Sequence, residues 1–253
     1  MNITILGSGT CVPSLERYPC SVLIQAGDAA ILLDFGPGIM GQLLKKGVHI
    51  NDLDMIFLSH FHLDHCADLA PFIFATKYPG FIRTKPLALA GGTGVRRLYE
   101  RLNEAYNGSL EMPADRFRIA ELSEKGRETL DIEGLQLSWA KPVHKPESRS
   151  FRFVDSSGFS FVYSGDTDYS PDLIELARRA DIMICESALP DDRKVEGHAT
   201  PSVAGTMARK AGVKKLVLTH FYPECDQADM MAQCRKVFDG DIVLARDLMT
   251  VSP

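Results

Sequence analysis

Short apolar runs separated by glycine- and proline-bearing turns fill the first third of the chain. Their length and spacing predict strands at 3–6, 21–25 and 30–33. A helix over 38–46 follows, ended by Gly47. Residues 55–58 (MIFL) are wholly apolar, the mark of a buried strand, and lead straight into a polar stretch. An apolar helix is expected over 67–77 and a strand at 87–90. Over 94–106 the spacing of Val95, Leu98, Leu102 and Tyr106 is helical. Strands at 117–122, 128–132 and 135–140 precede a hairpin of 151–154 and 159–163, which turns across Asp155-Ser156-Ser157-Gly158 with Gly158 free to take a positive φ. The last third alternates. A helix begins at Ser170-Pro171, with serine as cap and proline in the first helical position. A strand at 182–185 leads to a second helix capped the same way by Thr200-Pro201, running to Lys210 and stopped by Gly212. A strand at 216–218, a helix over 229–238 and a strand at 242–245 complete the pattern.

No low-complexity tract or linker interrupts these elements, so residues 1–253 read as one domain. One internal echo stands out: MIFLSHF at 55–61 resembles KLVLTHF at 215–221. Each is a buried strand ending in a hydroxyl residue, a histidine and a phenylalanine. Such an echo suits a fold of two similar β-rich halves with a site where they meet.

Composition narrows the class. Hydrophobic residues at 45% and charged residues at 24% are ordinary for a soluble globular protein. The net charge of −5 argues against general binding to nucleic acid or anionic membranes, because gripping many phosphates takes a basic excess. The start, MNITILGSGT, has no basic segment followed by a long apolar core, and no run approaches the roughly 20 apolar residues that cross a bilayer. Six cysteines show no C-x-x-C pair, which fits reduced thiols in a cytoplasmic protein better than a disulfide frame.

The chemistry concentrates in LSHFHLDH at 58–65, which holds three of the seven histidines. Hydrophobic burial gives no reason to gather imidazoles and a carboxylate at the end of an apolar strand, whereas metal coordination does. In an extended segment residues i and i+2 project to one side, so His60 and His62 converge on one ion. Asp64 and His65, after the chain turns toward a helix, face a second ion about 3.5–4 Å away. Two such sites need further donors. His144, Asp166 and His220 stand at or just beyond expected strand ends; each is weak alone, and together they complete the set.

With LLDFGPG at 32–38, SGDT at 164–167, EGHAT at 196–200 and LTHF at 218–221 added, the chain resembles the metallo-β-lactamase-fold hydrolases. Within them it is most similar to the ribonuclease Z group of phosphodiesterases. The resemblance spans nearly the whole chain in the expected order and implies an α+β fold, the four-layer αββα sandwich. It further implies that His60, His62 and His144 hold one ion, that Asp64, His65 and His220 hold the other, and that Asp166 bridges them. Asp34 then orients the histidine loop through hydrogen bonds rather than binding metal. His198 of EGHAT takes the part of proton donor to the leaving oxygen, with Glu186 fixing its tautomer. Asp64 steers the proton of the nucleophile. Lys141, Lys145, Arg149 and Arg152 surround His144; they read as a solvated basic edge, with some in reach of a substrate phosphate.

The expected activity is hydrolysis by two divalent ions, zinc being the best match to imidazole and carboxylate donors, with manganese and iron also compatible. The pair lowers the pKa of a bridging water so that hydroxide attacks phosphorus near neutral pH. Enzymes that trim the 3′ end of transfer RNA precursors carry a long arm between the third-motif histidine and the SGDT aspartate. Only 22 positions separate His144 from Asp166 here, which favours a small or cyclic phosphodiester, such as a cyclic nucleotide, over RNA. The alternatives are an armless ribonuclease Z-type endonuclease acting on RNA, a thioester or lactam hydrolase of the same superfamily, and a non-catalytic metal-binding scaffold. Glyoxalase-type thioesterases append a C-terminal domain, and 33 residues after His220 are too few for one. By analogy with relatives, a homodimer is expected.

Overall fold

The computed structural model describes residues 1–80, 82–124, 126, and 129–252. The chain begins with β1 (Asn2–Gly7), β2 (Ser21–Ala26), β3 (Ala29–Leu33), α1 (Ile39–Lys45) and β4 (Met55–Leu58). Then come α2 (Leu63–Cys66), α3 (Leu69–Ala75), β5 (Leu87–Gly91), α4 (Val95–Ala105) and β6 (Phe117–Glu121). The second half holds β7 (Leu130–Ile132), β8 (Leu135–Ala140), β9 (Ser150–Val154), β10 (Ser160–Tyr163), α5 (Pro171–Leu176) and β11 (Ile182–Glu186). It ends with α6 (Pro201–Ala211), β12 (Lys215–Thr219), α7 (Met230–Arg235), β13 (Asp241–Leu244) and β14 (Met249–Val251).

Two sheets result, in the orders β14-β1-β2-β3-β4-β5-β6 and β13-β12-β11-β10-β9-β8-β7. Alternation in the strands shows how they stack. In β3, Ile31 and Leu33 face the core shared with the second sheet, while Leu32 faces the cluster formed with α1 and α3. Phe57 of β4 lies 5.3 Å from Phe151 and 5.9 Å from Phe153 of β9, an aromatic seam between the sheets. Helices α5, α6 and α7 pack on the outer side of the second sheet. These are the four layers, αββα, that the motifs imply. The two echoed segments fall on β4 and β12, one in each sheet.

Three expectations needed correction. The apolar helix expected over 67–77 forms only as the shorter α3, and the separate turn α2 ahead of it was not foreseen, because the chain between them bonds to the loop after β3. Phe35 N–H donates to the His65 carbonyl at 2.7 Å, and Asp68 N–H to the Phe35 carbonyl at 2.9 Å. Ser170 caps α5 through Leu173 N–H as expected, but Thr200 makes no side-chain cap, its hydroxyl turning to Asp191 instead. The three-residue β14 was not foreseen; it pairs with β1 and returns the chain's last strand to the first sheet. Of the strand expected at 128–132, Glu128 lies outside the described residues and β7 begins at Leu130. The hairpin turn matches, with Gly158 at φ +84°.

Candidate active site

Strands β3, β4 and β5 run parallel, as do β10 through β13, and their carboxyl ends meet at one side of the sandwich. Open α/β sheets place ligands at such ends. Asp34 leaves β3, His60 follows β4, Asp166 follows β10, Glu186 ends β11 and His220 follows β12. Asp34 and His220 hold left-handed backbone, φ +60° and +62°, a conformation that costs any residue but glycine and that clusters at functional sites. The loop packs so closely that a Cβ on Gly36 would meet the Asp64 carbonyl oxygen at 2.0 Å. Only glycine fits beneath that turn.

All seven candidate donors come together. Side-chain atoms of His60, His62, His144 and Asp166 lie within 4.8 Å of one another, as do those of Asp64, His65 and His220. Asp166 divides its oxygens between the groups. Its Oδ2 stands 3.5 Å from His60 Nε2 and 3.8 Å from His144 Nε2, while its Oδ1 stands 3.2 Å from His65 Nε2 and 3.3 Å from His220 Nε2. Asp64 Oδ2 is 3.4 Å from His220 Nε2. Donors held about 2.0–2.1 Å from one tetrahedral ion stand about 3.3 Å apart, so these separations suit a cation at the centre of each group.

The outer nitrogens are held in turn. His65 Nδ1 lies 2.7 Å from Asp34 Oδ2, His144 Nδ1 lies 2.9 Å from the Gly197 carbonyl, and His60 Nδ1 lies 3.0 Å from Ser59 Oγ. Each such N–H fixes a tautomer with the Nε2 lone pair aimed inward. His60 Nε2 and Asp166 Oδ1 are buried with no hydrogen-bond partner among the described residues. Buried polar atoms are seldom left that way, and a bound cation is the natural partner here.

Electrostatics agree. Burial pushes His60 well below the ordinary imidazole range and also lowers His62 and His144, so the first group is neutral, the form that binds metal. Burial opposes charge on His65 and His220 as well, but nearby carboxylates, Asp166 foremost, outweigh it and raise both. Burial would raise Asp166 too, yet His220, His65 and His60 hold it well below the carboxylate range. This second group is built to hold positive charge.

Beside the donors, His198 Nδ1 lies 3.0 Å from Glu186 Oε1, which also accepts Thr167 N–H at 2.7 Å. Burial would lower His198, but the hydrogen bond and charge of Glu186 push it up to about 9. His198 also stands close enough to Asp166 and His220 to form a third group of possible donors. Its Nδ1 is already engaged by Glu186.

The four basic residues near His144 separate cleanly. Arg149 is wholly buried, contrary to the solvated edge expected, and its guanidinium donates to the carbonyls of Leu122, Ser123, Pro146 and Ser148. Arg152 reaches the Leu176 and Arg178 carbonyls, and Lys141 pairs with Glu124 at 3.2 Å. Lys145 is exposed, has no carboxylate partner among the described residues, and its charge adds to the depression of His62. Sequence reasoning missed Ser59, Tyr163, Asp168 and Gly197. Asp168 Oδ2 accepts from Lys194 at 2.6 Å and Gly197 N–H at 3.2 Å, which sets the carbonyl that holds His144. All six cysteines are free thiols, and no helix among the described residues is long and apolar enough to cross a membrane.

Comparison with known proteins agrees with this geometry. The family described as "Anti-Pycsar protein Apyc1" matches residues 1–238. The chain belongs to that family. An uncharacterized protein of Mycobacterium leprae, ML1173, is 32% identical over 96% of this chain and 85% of its own length. Among solved structures, the metallo-β-lactamase fold protein YhfI of Bacillus subtilis superposes with a TM-score of 0.84 at 24% identity, covering 99% of this chain and 98% of its own. The short form of human tRNase Z gives 0.79 at 25% identity, covering 100% and 99%. The fold is that of the metallo-β-lactamases, and the chain is a metal-dependent hydrolase.

Proposed function

We propose that the protein is a two-ion phosphodiesterase acting on small or cyclic phosphodiesters, with cyclic nucleotides as the substrate class. The observation that carries this reading is the split carboxylate of Asp166, one oxygen toward each histidine group, with the His198–Glu186 pair alongside. In this reading His60, His62, His144 and Asp166 hold one divalent ion, and Asp64, His65, His220 and Asp166 hold the other. Zinc fits the imidazole and carboxylate donors and their spacing. Such a pair supplies a lowered water pKa and a positive field against the phosphate. The chain's own residues do the rest. Asp64, 14% exposed and beside His220, is placed to orient the proton of the attacking water. His198, kept in its protonated form by Glu186 at Nδ1, gives the proton on its Nε2 to the departing oxygen as the phosphorus–oxygen bond breaks. Lys145, exposed and without a carboxylate partner among the described residues, meets the substrate phosphate.

Substrate size follows from what fills the space between His144 and Asp166. Strands β9 and β10 occupy it, paired to each other and to β8 and β11, with no protruding arm to grip a transfer RNA. The free thiols suit a reducing compartment such as the cytoplasm. The test is a hydrolysis panel with defined metal loading: 3′,5′-cyclic nucleotides, bis(p-nitrophenyl) phosphate, a transfer-RNA precursor, a thioester and a β-lactam. Turnover of cyclic nucleotides is expected to lead. Rapid cleavage of the precursor alone would replace this reading with RNA processing.

A further inference from the structure

Asp34 is fully buried, and its carboxylate receives four hydrogen bonds. Oδ1 accepts Ser59 N–H at 2.6 Å; Oδ2 accepts the Ser59 hydroxyl at 2.7 Å, the His65 Nδ1–H at 2.7 Å and the Tyr163 hydroxyl at 2.6 Å. A serine hydroxyl has one proton. Ser59 spends it on Asp34, so its lone pair must accept the Nδ1–H of His60, 3.0 Å away. One carboxylate therefore decides which nitrogen faces inward on a histidine from each group: His65 directly, and His60 through Ser59.

Asp34, Ser59, His60 and His65 all belong to the first sheet and its loops, whereas Tyr163 is the last residue of β10 in the second. Three residues later that strand's loop presents Asp166, which faces both groups. Burial, with Asp34 beside it, pushes the Tyr163 phenol well above its ordinary range, so it remains a donor. The buried Cys20 thiol lies 3.5 Å from the phenol oxygen and 3.6 Å from the hydroxyl of Thr219, the residue before His220.

We propose that Tyr163 is a positioning residue that ties the two metal positions together: by fixing Asp34 from the opposite sheet, it keeps His60 and His65 aimed inward at once. The inference rests on the two-ion reading above. It predicts a defect with a particular shape. Removing the Tyr163 hydroxyl weakens both ions alike, whereas removing the Ser59 hydroxyl, which touches His60 directly and Asp34 besides, weakens chiefly the one held by His60.

The test titrates metal-free wild type, Tyr163→Phe and Ser59→Ala with Co²⁺, following the visible absorption bands, and measures zinc affinity by competition with a chromophoric chelator. Loss of a partner behind a metal ligand costs about 10–100-fold in affinity. Tyr163→Phe is expected to lose at least tenfold at both positions and to show altered cobalt bands. Ser59→Ala should lose that much at the His60 position and clearly less at the other. If Tyr163→Phe binds both ions within twofold of wild type with the same spectrum, even with a lowered Tm, the tyrosine only fills space and the proposal is wrong. Should that variant fail to fold, Ser59→Ala decides: equal loss at both positions, or none, overturns the relay. A wild type that binds no second ion removes the two-ion reading itself, an outcome distinct from those.

Discussion

Replacing Glu186 with glutamine removes a charge while keeping an acceptor of nearly the same shape for Thr167 N–H. In the wild type burial would lower His198, but Glu186, helped by Asp166, holds it up at about 9 against an ordinary 6.5. That is about 3 kcal/mol of preference for the imidazolium. The sign follows from a raised pKa: the protonated form is complete at low pH, persists to about 9, and is lost above it. Without the carboxylate, burial and Asp166 remain and the loss moves down toward the ordinary 6.5, which sets the scale of the effect. At pH 8 the protonated share falls from about nine-tenths to about 3%, roughly a thirtyfold loss of proton donor. Cations bound alongside lower both curves together, so the gap between variants is the observable. The assay is kcat/KM against pH for a cyclic nucleotide and, in parallel, for bis(p-nitrophenyl) phosphate, whose leaving group departs without a proton. Glu186→Gln should lose the cyclic substrate at pH 8, recover toward pH 6, and leave the nitrophenyl ester nearly unchanged. Overlaid profiles between pH 7 and 9, or equal losses on both substrates, would refute the role given to His198 and Glu186.

Chelation should destabilise as well as inactivate: an ion at 100 times its dissociation constant contributes about 2.7 kcal/mol, so EDTA should lower Tm by roughly 5–10 °C in a thermal scan. Gly36→Ala places a methyl against the Asp64 carbonyl and should cost about 1–3 kcal/mol in denaturant unfolding while lowering metal content measured by elemental analysis. Lys145→Ala should cut kcat/KM about tenfold, mainly through KM, with metal content intact and a weaker dependence on ionic strength. An unchanged KM would mean that Lys145 is only solvated.

The donors were legible because metal chemistry restricts residue type, and because a buried apolar strand announces its own end. LSHFHLDH after MIFL and THF after KLVL could be placed at strand termini before any coordinates. What supports them was not legible. Ser59 looks like any polar residue beside a histidine; the signal was its match to Thr219 in the echoed segment, which marked a hydroxyl position in both halves. Tyr163 ends an apolar strand and reads as core, and only the opposite sheet shows its hydroxyl meeting Asp34. Arg149 misled because a charged side chain is ordinarily solvated, and its burial depends on the carbonyls of Pro146 and Ser148 in its own loop joining those of the distant Leu122 and Ser123. The break between α2 and α3 likewise comes from a partner loop, beyond the reach of local periodicity.

The pairing of β14 with β1 bears on the order of assembly in a growing polypeptide. One flank of β1 stays bare until β14 has been made, and His220 is made only shortly before it. Capture of the cations through all their partners therefore waits until nearly all of these elements have been made. A nascent chain halted halfway would hold an unfinished sheet with an open edge, a natural target for chaperones.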